Sequence, residues 1–105
     1  GWTYGGNKTN FHYGASKAAL EALTMAFAKI GASHNVLVNT IRPGATETPG
    51  HIQRYPNARD ISARANLVPL KRMAKPSEIS NMVLFLASGK SSFITNTIMK
   101  VSGGE

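Results

Sequence analysis

The sequence predicts an α/β fold built on a parallel sheet, and three observations lead there. Its apolar periodicity gives the order helix, strand, long connection, helix, strand. A strand, crossover helix and strand form a right-handed parallel unit. Residues 36–41 (VLVNTI) are nearly continuous in apolar character, as strands covered on both faces are. Two strands alone make a poor sheet, so further strands are expected to cover these.

Taken in order, residues 1–12 read as a loop. Gly1, Gly5, Gly6, Asn7 and Asn10 are turn formers, with Trp2, Tyr4 and Phe11 as aromatic anchors. These anchors either pack the loop onto a core or line a pocket. Residues 13–31 read as a helix because Ala15, Ala19, Leu23, Ala26, Phe27 and Ile30 recur at three- and four-residue steps. Gly31 is its expected stop. A helix this apolar needs something to cover it.

The strand at 36–41 is expected to end at Arg42-Pro43-Gly44. The loop from Ala45 to Gly50 then lies at the strand's C-terminal edge, where open α/β sheets bind ligands. Residues 57–67 read as one short helix inside an irregular connection, and Pro69 and Pro76 bracket a connector. Pro76-Ser77-Glu78 opens a helix carrying Ile79, Met82, Val83, Phe85 and Leu86 on its apolar face. Gly89, Ser91 and Ser92 break it, and residues 97–101 read as a second strand ended by Gly103-Gly104.

A chain of 105 residues is one domain at most. It has no cysteine, hence no disulfide framework and no thiolate metal site. No metal is expected. Its apolar runs are far short of a membrane span, and no signal-peptide pattern leads it. Gly1 rather than Met suggests a processed or truncated start. The net charge is +7, and Arg54, Arg59, Arg64, Lys71, Arg72 and Lys75 face only Asp60 in their stretch. These charges are scattered, with Tyr55 the only aromatic among them. They read as solvated surface, with an anionic ligand as the alternative and no nucleic-acid partner expected.

The most chemistry sits in Tyr13-Gly14-Ala15-Ser16-Lys17. Residues four apart stand one above the other on a helix face. An ammonium beside a phenol favours the phenolate, which moves it toward the range useful for proton transfer at neutral pH. Tyr13 is the candidate general acid or base and Lys17 its electrostatic tuner. Spacing alone does not separate this from an ordinary exposed pair.

Five segments, in order, resemble the C-terminal part of the short-chain dehydrogenase/reductase family. They are Tyr13-Gly14-Ala15-Ser16-Lys17-Ala18-Ala19-Leu20, Val38-Asn39-Thr40-Ile41-Arg42-Pro43-Gly44, Pro69-Leu70-Lys71-Arg72-Met73, Lys75-Pro76-Ser77-Glu78-Ile79 with Val83-Leu84-Phe85-Leu86-Ala87-Ser88, and Phe93-Ile94-Thr95 with Val101-Ser102-Gly103-Gly104. The resemblance covers essentially the whole chain. It implies the C-terminal portion of a doubly wound, Rossmann-like parallel sheet.

The resemblance also implies roles. Tyr13 would exchange a proton with a substrate carbinol or carbonyl oxygen. Lys17 would tune Tyr13 and bind the ribose hydroxyls of NAD or NADP. Pro43 and Gly44 would let the backbone approach the nicotinamide, Thr46 would meet the carboxamide through its backbone, and Thr48 would reach carboxamide or pyrophosphate through its hydroxyl. Residues 49–70 would form the substrate lid. Asn96 stands where the family commonly has glycine, so a different local turn is expected. The implied reaction is hydride transfer between a nicotinamide cofactor and a small alcohol or ketone. A cytoplasmic homo-oligomer, dimer or tetramer, is the implied setting.

No Gly-x-x-x-Gly-x-Gly phosphate loop occurs in the 105 residues. The family's substrate-orienting serine and five of its seven strands would precede Gly1. The chain alone is therefore expected to be inactive, as a piece of an oxidoreductase. The alternative is a catalytically dead interaction module that associates through exposed helix faces.

Overall fold

The computed structural model describes residues 9–105. The expected loop anchors Trp2 and Tyr4 lie outside the described residues. Two compact units emerge along the chain. One holds residues up to Thr40 together with Ser92–Ile98, and the other holds Ile41–Ser91 with Met99–Glu105.

In the first unit, α1 spans Phe11–Ala32, two residues earlier and one later than the periodicity predicts. Its alanine-rich interior favours helix because alanine loses no side-chain entropy there. The buried residues are Glu21, Thr24 and Ala28, an i, i+3, i+7 stripe. Leu23, Phe27 and Ile30, expected to seek cover, are 52 %, 56 % and 63 % exposed. Within the buried stripe, Thr24 is held by hydrogen bonds. Thr24 Oγ1 donates to the Leu20 carbonyl at 3.1 Å and accepts the Thr40 hydroxyl at 2.6 Å.

Gly31 does not sit past the helix end; it lies in the last turn. A Cβ there would meet the Val36 carbonyl oxygen at 2.8 Å, and that carbonyl belongs to backbone that cannot easily move. The reversal is supplied by Asn35, at φ 57°, a left-handed conformation that asparagine tolerates. The Val36 N–H then returns to the Gly31 carbonyl at 2.9 Å.

The strand expected at 36–41 is observed as β1, Thr40–Pro43. Residues 38 and 39 are still tied to 94–97, but largely through side chains. The Val38 N–H donates to Thr95 Oγ1, Asn39 Nδ2 donates to the Ile94 carbonyl, and Asn39 Oδ1 accepts the Thr97 N–H. Asn96, at φ 60°, bends the opposing backbone out of ladder geometry, which delays regular pairing to Thr40. Asn96 itself takes a left-handed conformation, which asparagine tolerates.

The second strand, β2, spans Ile98–Val101, and the sheet order is β1–β2. Thr40 N–H donates to the Thr97 carbonyl, and Gly44 N–H to the Val101 carbonyl, both at 2.9 Å. Both pairs are offset by the same 57 positions (97 − 40 and 101 − 44), which is a parallel register.

The second unit carries three α-helices. α2 is Pro49–Ile52, capped by the Thr48 side chain, and α3 is Ala58–Leu67, capped by Asn57, whose Oδ1 accepts the Asp60 N–H at 3.0 Å. α4 is Pro76–Ala87. Proline fits its first turn because that N–H has no helical partner. Past its end, the buried Ser91 hydroxyl donates to the Leu86 carbonyl at 2.8 Å. The core of this unit is Ala45, Val68 and Met73, with Ile61 and Ala65 packed against it. Among the described residues no helix is long and apolar enough to cross a membrane.

At the start of α4, Arg72 grips both oxygens of Glu78 at 2.7 and 2.6 Å, while the Lys75 N–H donates to Glu78 at 2.8 Å. The guanidinium first, and then that backbone donor, hold the Glu78 carboxyl down at about 2. A depressed carboxyl pKa stabilises the fold above its ordinary value and loses that contribution as pH falls through the folded value. The first turn of α4 is therefore expected to loosen between the ordinary carboxyl range and about pH 2. Carboxyl-carbon NMR titration of Glu78, alongside amide exchange at Lys75, measures this.

Candidate active site

Tyr13 and Lys17 both lie on the first turns of α1. The Lys17 Nζ stands over the Tyr13 ring, 5.5 Å from its centroid. This places the ammonium and the phenol on one helix face, within cation–π range. Tyr13 is 60 % exposed. The Ser16 hydroxyl donates to the Tyr13 carbonyl at 2.8 Å, which steadies the turn between them.

Pro43, Gly44, Thr46 and Thr48 belong to the second unit, in the run from the end of β1 to the start of α2. A single parallel bridge joins Thr46 to Ala74. The Ala74 N–H donates to the Ala45 carbonyl and the Glu47 N–H to the Ala74 carbonyl. This bridge anchors the loop to the connector between α3 and α4. Thr46 Oγ1 donates to the Gly44 carbonyl at 3.0 Å, and the Thr46 carbonyl accepts the Thr48 N–H at 2.8 Å, so both are used locally. Thr48 Oγ1 accepts the His51 N–H at 3.3 Å, which leaves its hydroxyl proton to donate elsewhere.

Gly44 has an internal reason to be glycine. A Cβ there would lie 2.7 Å from Ser102 Cα and 3.0 Å from Glu105 Oε2. The turn after β2 packs against it. Gly103 and Gly104 hold that turn in the left-handed region, at φ 64° and 102°, where non-glycine side chains are strained. A small apolar cavity of about 140 Å³ lies between this turn, Ala45, Val68 and Leu70, with Arg72 and Glu78 at its polar side.

The expected lid, residues 49–70, contains α2 and α3. The His51 and Tyr55 rings meet edge to face, with Tyr55 Oη 3.5 Å from His51 Nε2. Burial, then the charges of Arg64 and Arg54, push the His51 pKa down. Arg64 on α3 pairs with Glu105 at 2.7 Å. Neither Arg64 nor Glu105 stands out in the sequence, where they are separated by 41 positions (105 − 64). The only available signal is that Glu105 is one of five acids in a strongly basic chain.

Can these groups hold a nicotinamide cofactor? Within each unit taken by itself, donors of a suitable type are present. Lys17 offers ammonium hydrogens for vicinal hydroxyls, and Thr48 offers a hydroxyl hydrogen for a carboxamide oxygen. No Gly-x-x-x-Gly-x-Gly run occurs in the 105 residues.

Comparison with known proteins places the chain in context. A family model described as enoyl-(acyl carrier protein) reductase matches residues 2–105. The 3-oxoacyl-(acyl-carrier-protein) reductase FabG of Thermotoga maritima is 37 % identical over 99 residues, covering 94 % of this chain and 39 % of that protein. An acetoacetyl-CoA reductase of Allochromatium vinosum is 39 % identical over 93 residues, covering 89 % and 37 %. The crystal structure of YwfH, an NADPH-dependent reductase of bacilysin biosynthesis, superposes with a TM-score of 0.81 at 27 % identity, covering 87 % of this chain and 38 % of that one. The chain thus spans about two-fifths of the length of the curated relatives it matches.

Proposed function

The chain belongs to the short-chain dehydrogenase/reductase family, and on that premise we propose that it supplies the proton-transfer residues and nicotinamide-binding loop of an NAD(P)-dependent oxidoreductase. The single observation that carries this is the Lys17 ammonium over the exposed Tyr13 ring. When bound, the nicotinamide cofactor supplies the hydride chemistry. Tyr13 Oη gives a proton to the ketone oxygen in reduction and takes one from the alcohol in oxidation. Lys17 holds positive charge beside that phenol and donates to ribose hydroxyls. The Pro43-Gly44 turn and the Thr46 backbone meet the nicotinamide, and Thr48 donates its free hydroxyl proton to the carboxamide.

The substrate is a small alcohol or ketone. The relatives named for 3-oxoacyl and acetoacetyl reduction support a ketone, and the NADPH-dependent neighbour supports NADP(H) beside NAD(H). Without a phosphate loop the 105 residues alone hold the cofactor weakly, and we read them as inactive by themselves. The exposed Leu20, Leu23, Phe27 and Ile30 of α1 support further strands and a homo-oligomer as their cover. A cytoplasmic setting goes with this reading. Lys17→Ala in the full-length parent tests it. Turnover of NAD(P)H with a ketone is expected to fall, and cofactor affinity with it. Unchanged affinity by fluorescence titration would contradict the Lys17 assignment.

A further inference from the structure

Glu105 joins parts of the second unit that are remote in sequence. Its Oε1 lies 2.7 Å from Arg64 Nη2 on α3. Its Oε2 accepts the Ala45 N–H at 3.3 Å, in the loop that follows β1. The Ser102 hydroxyl donates to its backbone carbonyl at 3.1 Å. We propose that Glu105 is a positioning residue that clamps lid helix α3 to the loop carrying Gly44, Thr46 and Thr48, so that the lid and this loop move together. The functional meaning of the clamp rests on reading that loop as the nicotinamide-binding one.

Three features of the fold serve this contact. The left-handed turn at Gly103 and Gly104 brings residue 105 back over the end of β1. Gly44 leaves the space that the carboxylate occupies, since a Cβ there would crowd Oε2 at 3.0 Å. The Arg64 side chain is only 11 % exposed, and its Nη1 is buried without a partner. Glu105 is therefore the acid that pairs with a mostly covered guanidinium, which also interacts with Tyr55. Removing one partner of such a pair is costly because the other charge stays buried. The Ala45 N–H donates to the same ionised group, and a charge-assisted hydrogen bond of this kind is stronger than a neutral one. Glu105 thus links Arg64 to the Ala45 peptide, beside the packing of Ile61 and Ala65 on the Ala45 cluster.

Amide exchange followed by NMR in the intact protein tests the clamp. Glu105→Gln keeps the shape and an acceptor but loses the charge. It is expected to speed exchange about tenfold or more at both Ala45 and the last turn of α3. Arg64→Gln is expected to speed exchange at Ala45 comparably, with no additional effect in the double variant. Arg64→Lys, which keeps the charge, is expected to recover part of the protection. The α4 amides serve as an internal control for folding. If Arg64→Gln leaves Ala45 within about twofold of the wild type while α4 is unchanged, the clamp is wrong. Nicotinamide-nucleotide titration is a separate arm. Weaker binding in Glu105→Gln supports the coupling to cofactor. A wild-type parent that binds no such nucleotide overturns the reading of the loop, while the exchange result stands on its own.

Discussion

Tyr13→Phe in the full-length parent enzyme is expected to lower turnover by about 10²–10⁴-fold, the usual contribution of a positioned proton-transfer group. Cofactor affinity is expected to stay nearly unchanged. The substitution is informative because it removes only an oxygen. The ring that Lys17 covers at 5.5 Å remains, so the ammonium keeps its place and its own contacts. A loss confined to kcat therefore isolates the hydroxyl. Steady-state kinetics with a ketone and NAD(P)H, beside a direct cofactor titration, reads both quantities. If turnover survives within a few-fold, another group moves the proton.

Gly44→Ala is expected to destabilise the fold by about 1–3 kcal/mol, the cost typical of overpacking. The clash is with the Ser102 Cα at 2.7 Å, an atom of the main chain and not the free end of a flexible side chain. Ser102 is held in turn by the left-handed pair that follows it, so the turn cannot retreat without losing the Glu105 contact to Ala45. Denaturant unfolding is expected to show a lower midpoint with an unchanged slope. Because the same turn seats the loop after β1, exchange at Ala45 should rise as well. A stability equal to wild type would mean that the turn after β2 is not packed as described.

Local chemistry made some elements legible in the sequence and long-range contact hid others. α4 starts where Pro76 and Glu78 predict, because a helix N-terminus is decided by the few residues around it. α3 follows Asn57 for the same reason, its cap bond being only three residues long. β1 is displaced because Asn96, more than fifty positions away, bends the opposing chain. The apolar stripe of α1 was legible as a stripe. Which side the chain itself buries was not, because that side includes Thr24, whose partner Thr40 is distant in sequence.

The candidate site divides the same way. Tyr13 and Lys17 are one turn apart in a helix, so their shared face follows from spacing. Gly44 was legible as a permissive residue, yet its first demand comes from Ser102 and Glu105. Arg64 and Glu105 left no local signature, since an ion pair between distant segments has no period.

The most direct test of the proton-transfer assignment is a crystal structure of the full-length parent with nicotinamide cofactor and a ketone or alcohol bound. The account predicts Tyr13 Oη within about 2.6–3.2 Å of the substrate oxygen, with Lys17 Nζ on the ribose hydroxyls. A substrate oxygen held by other groups, with Tyr13 turned away from it, would contradict the assignment.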